Sequence, residues 1–210
     1  MLEARLWILA VVFLALFAIL GILVMSTHAL SRLDAAAAVL RDHATGLATI
    51  FTLSGRALPL LALGLVSVLL FLFLKRPLWI PLAIFASQIA SQSVVELLIK
   101  PIFARPRPTD SVLIRDLGFS FPSGHSTTAI VFFGAWLLVV ILVPIARPLK
   151  FSLAALLFVW MLGIDWSRIA LSAHYLSDVL GGTLFGCAWM SALLALLVRL
   201  RVPLTWDMHG

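Results

Sequence analysis

The sequence predicts an all-helical chain that crosses a membrane six times, and three observations carry that reading. Of its 210 residues, 63% are hydrophobic and 11% charged, whereas about a quarter of a soluble domain is charged. The apolar residues gather into six runs, each near the roughly 20 residues needed to cross about 30 Å of hydrocarbon. The few charges fall in small groups between the runs rather than in one stripe. That distribution argues against a nucleic-acid binder, which the net charge of +6 and pI near 10.7 would otherwise suggest. No length is left for a separate soluble domain, so residues 1–210 read as one integral domain, multi-pass in the plasma (inner) membrane. The single cysteine, Cys187, rules out an internal disulfide.

The first run, Trp7–Met25, is 19 residues without a charge. A signal-peptide core is usually about 7–15 residues, and Thr27-His28-Ala29 is a poor cleavage site, so the run is expected to be a span. The others are Ala57–Leu74, Leu78–Ile99, Ser123–Val143, the run from Phe151 onward, and Val179–Val198. Lys75-Arg76, Arg147 with Lys150, and Arg199 with Arg201 all fall on one side of this layout. The excess of basic residues in cytoplasmic loops puts that side, and both termini, in the cytoplasm. Arg32, Arg41 and Arg56 are on the other side, in a longer loop that also holds Asp34 and Asp42.

In that loop, Ser26–Arg56, the residues Leu30, Leu33, Ala37, Leu40, Ala44 and Leu47 recur every three or four positions. The spacing predicts an amphipathic helix at the outer interface. It reads as a cap on the bundle, with a lid or lipid-access wall as the functional alternative.

Two spans have features that composition alone does not explain. Phe151–Ile164 is 14 residues, about 21 Å as a helix, so the helix should continue through Ser167 and Arg168 and place Arg168 below the membrane surface, facing protein or water. Charges at such depth are costly and usually functional. In the third span Gln88, Gln92, Glu96 and Lys100 are four apart and share a face. Interhelical hydrogen bonding accounts for the two glutamines. Lys100 ends the stripe at the level of the other polar clusters, and Glu96 one turn away can either hold or neutralise it.

Those clusters carry the chemistry. Lys100, Arg107 and Arg168 supply a compact ammonium and planar guanidinium forks, the donors that a phosphate needs. Pro101, Pro106 and Pro108 stiffen the segment between them. Ser123 is a good helix N-cap, Gly124 permits close backbone approach, and the free amides of a helix start favour anions. Taken singly, each of these residues is an ordinary cap or a snorkelling cation; their gathering at one membrane face is what points to a site. His174 and Asp178, four apart, share a helix face, so the carboxylate can fix one ring nitrogen and leave the other free to attack. Such a pair is also found as a structural cap or part of a metal site, although no third convincing metal ligand accompanies it. His125, next to the Ser-Gly turn, can protonate a leaving group and then activate water.

Lys100-x6-Arg107-Pro108, Pro122-Ser123-Gly124-His125 and Ser167-Arg168-x5-His174-x3-Asp178 resemble, in order and spacing, the three signature motifs of the type 2 phosphatidic acid phosphatase superfamily. The resemblance covers 100–178 directly, and the six-span layout extends it over nearly the whole chain. Many relatives have Gly-Val before the last histidine, where Ser172-Ala173 stand here. The resemblance implies a phosphatase that needs no metal or other cofactor, with His174 as nucleophile, Asp178 orienting it and His125 as acid and base. Lys100, Arg107, Ser123, Gly124 and Arg168 would bind the phosphoryl group; Ser167 belongs to the motif without a chemical role. The expected partner is a lipid phosphate or pyrophosphate in the bilayer. Undecaprenyl pyrophosphate is ranked slightly ahead of phosphatidylglycerol phosphate and phosphatidate, and the site is expected to face outward. Transfer to another lipid, a soluble phosphate ester as substrate, and a non-enzymatic anionic-lipid binding or transport bundle are the alternatives. The two histidines argue against the last, because binding alone does not need them.

Overall fold

A computed structural model describes residues 1–26, 29–41, 44–108 and 118–202. In chain order the helices are α1 (Leu2–Met25), α2 (Ser31–Ala37), α3 (Thr45–Ser54), α4 (Ala57–Phe73), α5 (Trp79–Phe103), α6 (Gly124–Leu142), α7 (Arg147–Ala170) and α8 (Leu176–Arg199). Among the described residues there is no strand. Five helices, α1, α5, α6, α7 and α8, are each long and apolar enough to cross a membrane. The sixth expected run is α4, which has 17 residues and follows α3 across a bend of 57°. The chain is a polytopic helical membrane protein.

α6 and α8 form the centre. In their most apolar stretches 44% and 50% of residues are buried, against 17% in α1 and 11% in α7. The hydrophobic effect does not drive helices together in lipid, so close packing must. A Cβ at Gly182 of α8 would overlap the Ser123 carbonyl at the start of α6, so glycine there lets the two backbones touch. α1 lies along α8, α3 lies on α7, and α5 packs on α6. Below the polar end an aromatic wedge ties α1, α5 and α8 together. Phe17 of α1 stacks on Phe121 at 5.7 Å and lies 5.7 Å from Phe185 of α8, and Phe103 of α5 meets Phe121 edge-on at 4.7 Å.

Two helices contain a π turn, Val95–Ile99 in α5 and Ala129–Phe133 in α6. Such turns recur near functional sites because they re-aim one face of a helix. The first ends immediately before Lys100.

The first loop is helical, as its periodicity predicts, but in two pieces rather than one. α2 runs into a 3₁₀ turn, Ala38–Leu40, and α3 starts after Ala44, whose φ of 50° is left-handed. The buried side is also not the leucine side. Leu33, Leu40 and Leu47 are 39–51% exposed, whereas Asp34, Ala37, Ala48 and Thr52 are buried. The leucines can face lipid, while small and polar side chains face the bundle. α7 runs through Arg168 as the short apolar run requires, and it is 24 residues long, about 36 Å.

Candidate active site

The three motifs meet where α5 ends and α6 and α8 begin. Ser123 caps α6 by accepting from the Ser126 amide at 3.4 Å, and its own amide donates to the Asp178 carbonyl at 3.0 Å. This bond locks the second motif to the third. At the end of α7 the Arg168 carbonyl accepts the amides of Ala173 and His174 at 3.0 and 3.1 Å. The turn passes through Ser172 at φ 52° and delivers His174 beside the α8 N-terminus. Five residues between Arg168 and His174 are what this turn needs. Ser167, without a chemical role in the sequence, donates to the Ile164 carbonyl at 2.6 Å inside its own helix.

A small pocket is lined by Gln92, Glu96, Lys100, Arg107, Gly124, His125 and His174. Of the expected site residues, Ser123, Arg168 and Asp178 do not line it; all three are fully buried around it. The Lys100 ammonium lies 2.7 Å from Glu96 Oε1, and Gln92 donates to the same oxygen at 3.0 Å. The polar stripe thus aims Lys100 while offsetting part of its charge. Gln88 donates to Thr128 Oγ1 at 2.7 Å, the interhelical bond expected of it. A Cβ on Gly124 would sit 2.5 Å from Gln92 Nε2 and 3.1 Å from Glu96 Oε1, so glycine is needed for the stripe to reach the pocket.

The tautomers of both histidines follow from their partners. Arg107 Nη1 lies 3.0 Å from His174 Nε2. A guanidinium can only donate, so Nε2 is an acceptor and the ring proton belongs on Nδ1. Nδ1 is 3.4 Å from Asp178 Oδ2, a long contact of the kind that often tightens once substrate is bound. His125 is held the other way round. Its Nε2 is 3.1 Å from the Thr52 carbonyl, which can only accept, so this nitrogen carries the proton and Nδ1 is left for chemistry.

Sequence reading missed three contributors. Thr52, besides holding His125, accepts a hydrogen bond through its hydroxyl from Arg168 Nη1. Arg105 donates to Asp178 Oδ1 at 2.5 Å and to Asp34 Oδ2 at 2.8 Å. Asp34 in turn accepts the Ser177 amide at 2.9 Å. Burial acts to lower the Arg105 pKa, but Asp178 and Asp34 outweigh it and leave the guanidinium above its ordinary value. One signal was present: Asp34 and Thr52 fall four residues from Leu30 and Ala48, inside otherwise apolar or small faces.

A large groove of about 950 Å³ shares Gln92, Gly124 and His125 with the pocket and runs between α4 and α5, past Leu58, Pro59, Leu61, Phe85 and Ile89. Among the described residues, no three His, Cys, Asp or Glu side chains gather closely enough to hold a metal.

Fold and pocket together define a helical membrane protein with a cation-rich site built around two histidines. The sequence pattern of the PAP2 superfamily matches residues 76–201, and the chain belongs to that superfamily. It is 43% identical over 77 residues to a lipid A 1-phosphatase of Rhizobium johnstonii, covering 37% of this chain and 27% of that protein. It is 34% identical over 93 residues to phosphatidylglycerophosphatase B of Escherichia coli K12, covering 43% and 34% respectively. The chain therefore matches about a third or less of these curated relatives' own lengths. The crystal structure of a transmembrane PAP2-type phosphatidylglycerolphosphate phosphatase from Bacillus subtilis aligns with a TM-score of 0.76 at 25% identity, over 93% of this chain and 98% of that one.

Proposed function

We propose that the protein is a phosphatase acting on a membrane lipid whose phosphate or pyrophosphate headgroup enters the pocket from the outer leaflet. The observation that carries this reading is the meeting of two differently held histidines with Lys100 and Arg107 in one pocket that opens into an apolar groove. Once Arg107 turns from His174 Nε2 to the phosphoryl oxygens, the freed Nε2 lone pair attacks phosphorus while the P–O bond to the lipid breaks. The attack makes His174 cationic, and Asp178 stabilises that charge at Nδ1. His125 takes up a proton on Nδ1 from the incoming phosphate headgroup and gives it to the departing oxygen. Water then attacks the phosphohistidine, His125 takes its proton, and inorganic phosphate leaves with His174 restored. Lys100 and Arg107 clamp the phosphoryl oxygens, the amides at the α6 N-terminus following Ser123 and Gly124 add donors, and buried Arg168 contributes its charge. Holding and neutralising these oxygens is most of what phosphoryl transfer demands. The groove between α4 and α5 takes the acyl or prenyl chain.

The test is phosphate release in detergent from purified phosphatidylglycerol phosphate, phosphatidate, undecaprenyl pyrophosphate and lipid A, with and without EDTA, beside a short water-soluble ester. Turnover of at least one long-chain lipid, unaffected by EDTA and with a kcat/KM well above that of the short ester, is expected. Loss with EDTA and recovery on one divalent ion would replace the mechanism, and no release from any lipid would overturn the reading. The side is tested by cysteines placed at Phe119 and Ala146 in a Cys187→Ser background. An impermeant thiol reagent on intact cells should label the first and spare the second.

A further inference from the structure

We infer that Arg105 and Asp34 are positioning residues for the His174–Asp178 pair: Arg105 clamps one oxygen of Asp178 so that the other faces His174, and Asp34 fixes Arg105 from the first loop. This rests on the phosphatase reading above.

The Asp178 carboxylate is fully buried, with protein donors on both of its oxygens. Oδ2 accepts the Tyr175 amide at 2.9 Å and faces His174 Nδ1 at 3.4 Å. Oδ1 is held by Arg105 Nη1 at 2.5 Å. Without Arg105 this buried anion would lose its nearest counter-charge and the only one of its anchors that grips Oδ1 with a full charge, leaving the Tyr175 amide and the Ser120 hydroxyl to hold it. Burying a charge after removing its partner is strongly unfavourable, so the group would rotate or take up a proton. Either change releases the ring proton of His174 from its acceptor.

Arg105 is itself over-determined. Nη1 also donates to Ser177 Oγ at 2.8 Å, Nη2 donates to Asp34 Oδ2 at 2.8 Å, and the guanidinium lies 4.2 Å over the Tyr175 ring. Asp34 accepts both the amide and the hydroxyl of Ser177, at 2.9 and 2.8 Å, which fastens it to the first turn of α8. A planar fork can reach two carboxylates at once, whereas a lysine ammonium cannot hold that geometry. Arg105 does not line the pocket of the two histidines. It borders a separate cavity with Asp34, Arg41 and Tyr175, so it acts on the reaction through the groups it holds, of which Asp178 is the one that faces His174.

The test compares kcat and KM on one long-chain lipid phosphate for wild type, Arg105→Gln, Arg105→Lys, Asp34→Asn and the Asp34→Asn/Arg105→Gln double variant, with His174→Ala as the blank. Arg105→Gln should lower kcat about 10–100-fold, the usual size for a group that orients a reacting side chain from behind, and leave KM within about twofold of wild type. Arg105→Lys should recover part of the loss. Asp34→Asn should lower kcat by less, and the double variant should be no worse than Arg105→Gln alone, because Asp34 acts through Arg105. If Arg105→Gln does not fold, Arg105→Lys and Asp34→Asn decide. Wild-type kcat in both, or a KM rise with kcat preserved, overturns the positioning role. A wild type with no turnover, or a fully active His174→Ala, overturns the phosphatase reading itself, which separates the two failures.

Discussion

His174 and His125 line one pocket but are held by opposite ring nitrogens. His174 is 2% exposed, with a carboxylate facing Nδ1 and an arginine on Nε2. His125 is only part-buried, and a neutral carbonyl holds its Nε2. A carboxylate behind an imidazole favours the cation that forms when the other nitrogen attacks. A carbonyl orients the ring while stabilising its charge far less, so the ring can give a proton away and take one back. In the proposed mechanism, two chemically identical side chains take different tasks because of what stands behind them.

The largest effect that would break this comparison is at His174. His174→Ala should abolish turnover and the acid-labile phosphohistidine seen after rapid quench of the wild type. Retained turnover, or a phosphoenzyme on His125 instead, would reverse the assignment. Asp178→Asn should lower kcat about 10³–10⁴-fold, since an amide can stabilise the wrong tautomer. His125→Ala should cost about 10²–10⁴-fold on a lipid phosphate, the range for losing a general acid or base. Its burst of leaving group should return on a nitrophenyl phosphate, whose leaving group needs no proton, whereas His174→Ala should gain nothing from that substrate. An equal response of both variants would show that the histidines share one role. Thr52→Val has the smallest expected effect and sharpens the comparison most. It keeps the carbonyl on His125 and removes the hydroxyl from Arg168. The variant should lose about 1–3 kcal/mol of stability for the buried donor left unsatisfied, measurable by thermal aggregation in detergent, with little change in kcat.

The residues that sequence exposed and those it hid differ in a physical way. Lys100 with Glu96, Ser123 with Ser126, and His174 with Asp178 lie three or four residues apart, the last pair across the turn that enters α8 rather than on one helix face as expected. Their chemistry therefore appears as fixed short spacings, and the apolar runs around them show the spans. Asp34, Thr52 and Arg105 act across 71 to 143 residues of chain, and no local period records such a contact. Arg105 was also overshadowed by Arg107, two positions on in a Pro-rich segment. The loop helices are predicted from their leucines, but that spacing does not say which face meets the bundle. In a bilayer the same leucines can turn outward, and the face that matters carries Asp34, Ala48 and Thr52.

The family pattern begins at residue 76, yet Thr52 and Asp34, well before it, hold His125, Arg168 and Arg105 around the pocket. A minimal version of this protein trimmed to that boundary would keep every signature residue and still lack the hydroxyl on Arg168, the carbonyl on His125 and the acid that steadies Arg105. Engineers who shuffle the N-terminal helices between relatives should therefore treat α2 and α3 as cargo that travels with the histidines. Replacing them with helices that lack an acid at position 34 and a threonine at position 52 would remove the side-chain contacts to Arg105 and Arg168 while leaving every signature motif intact.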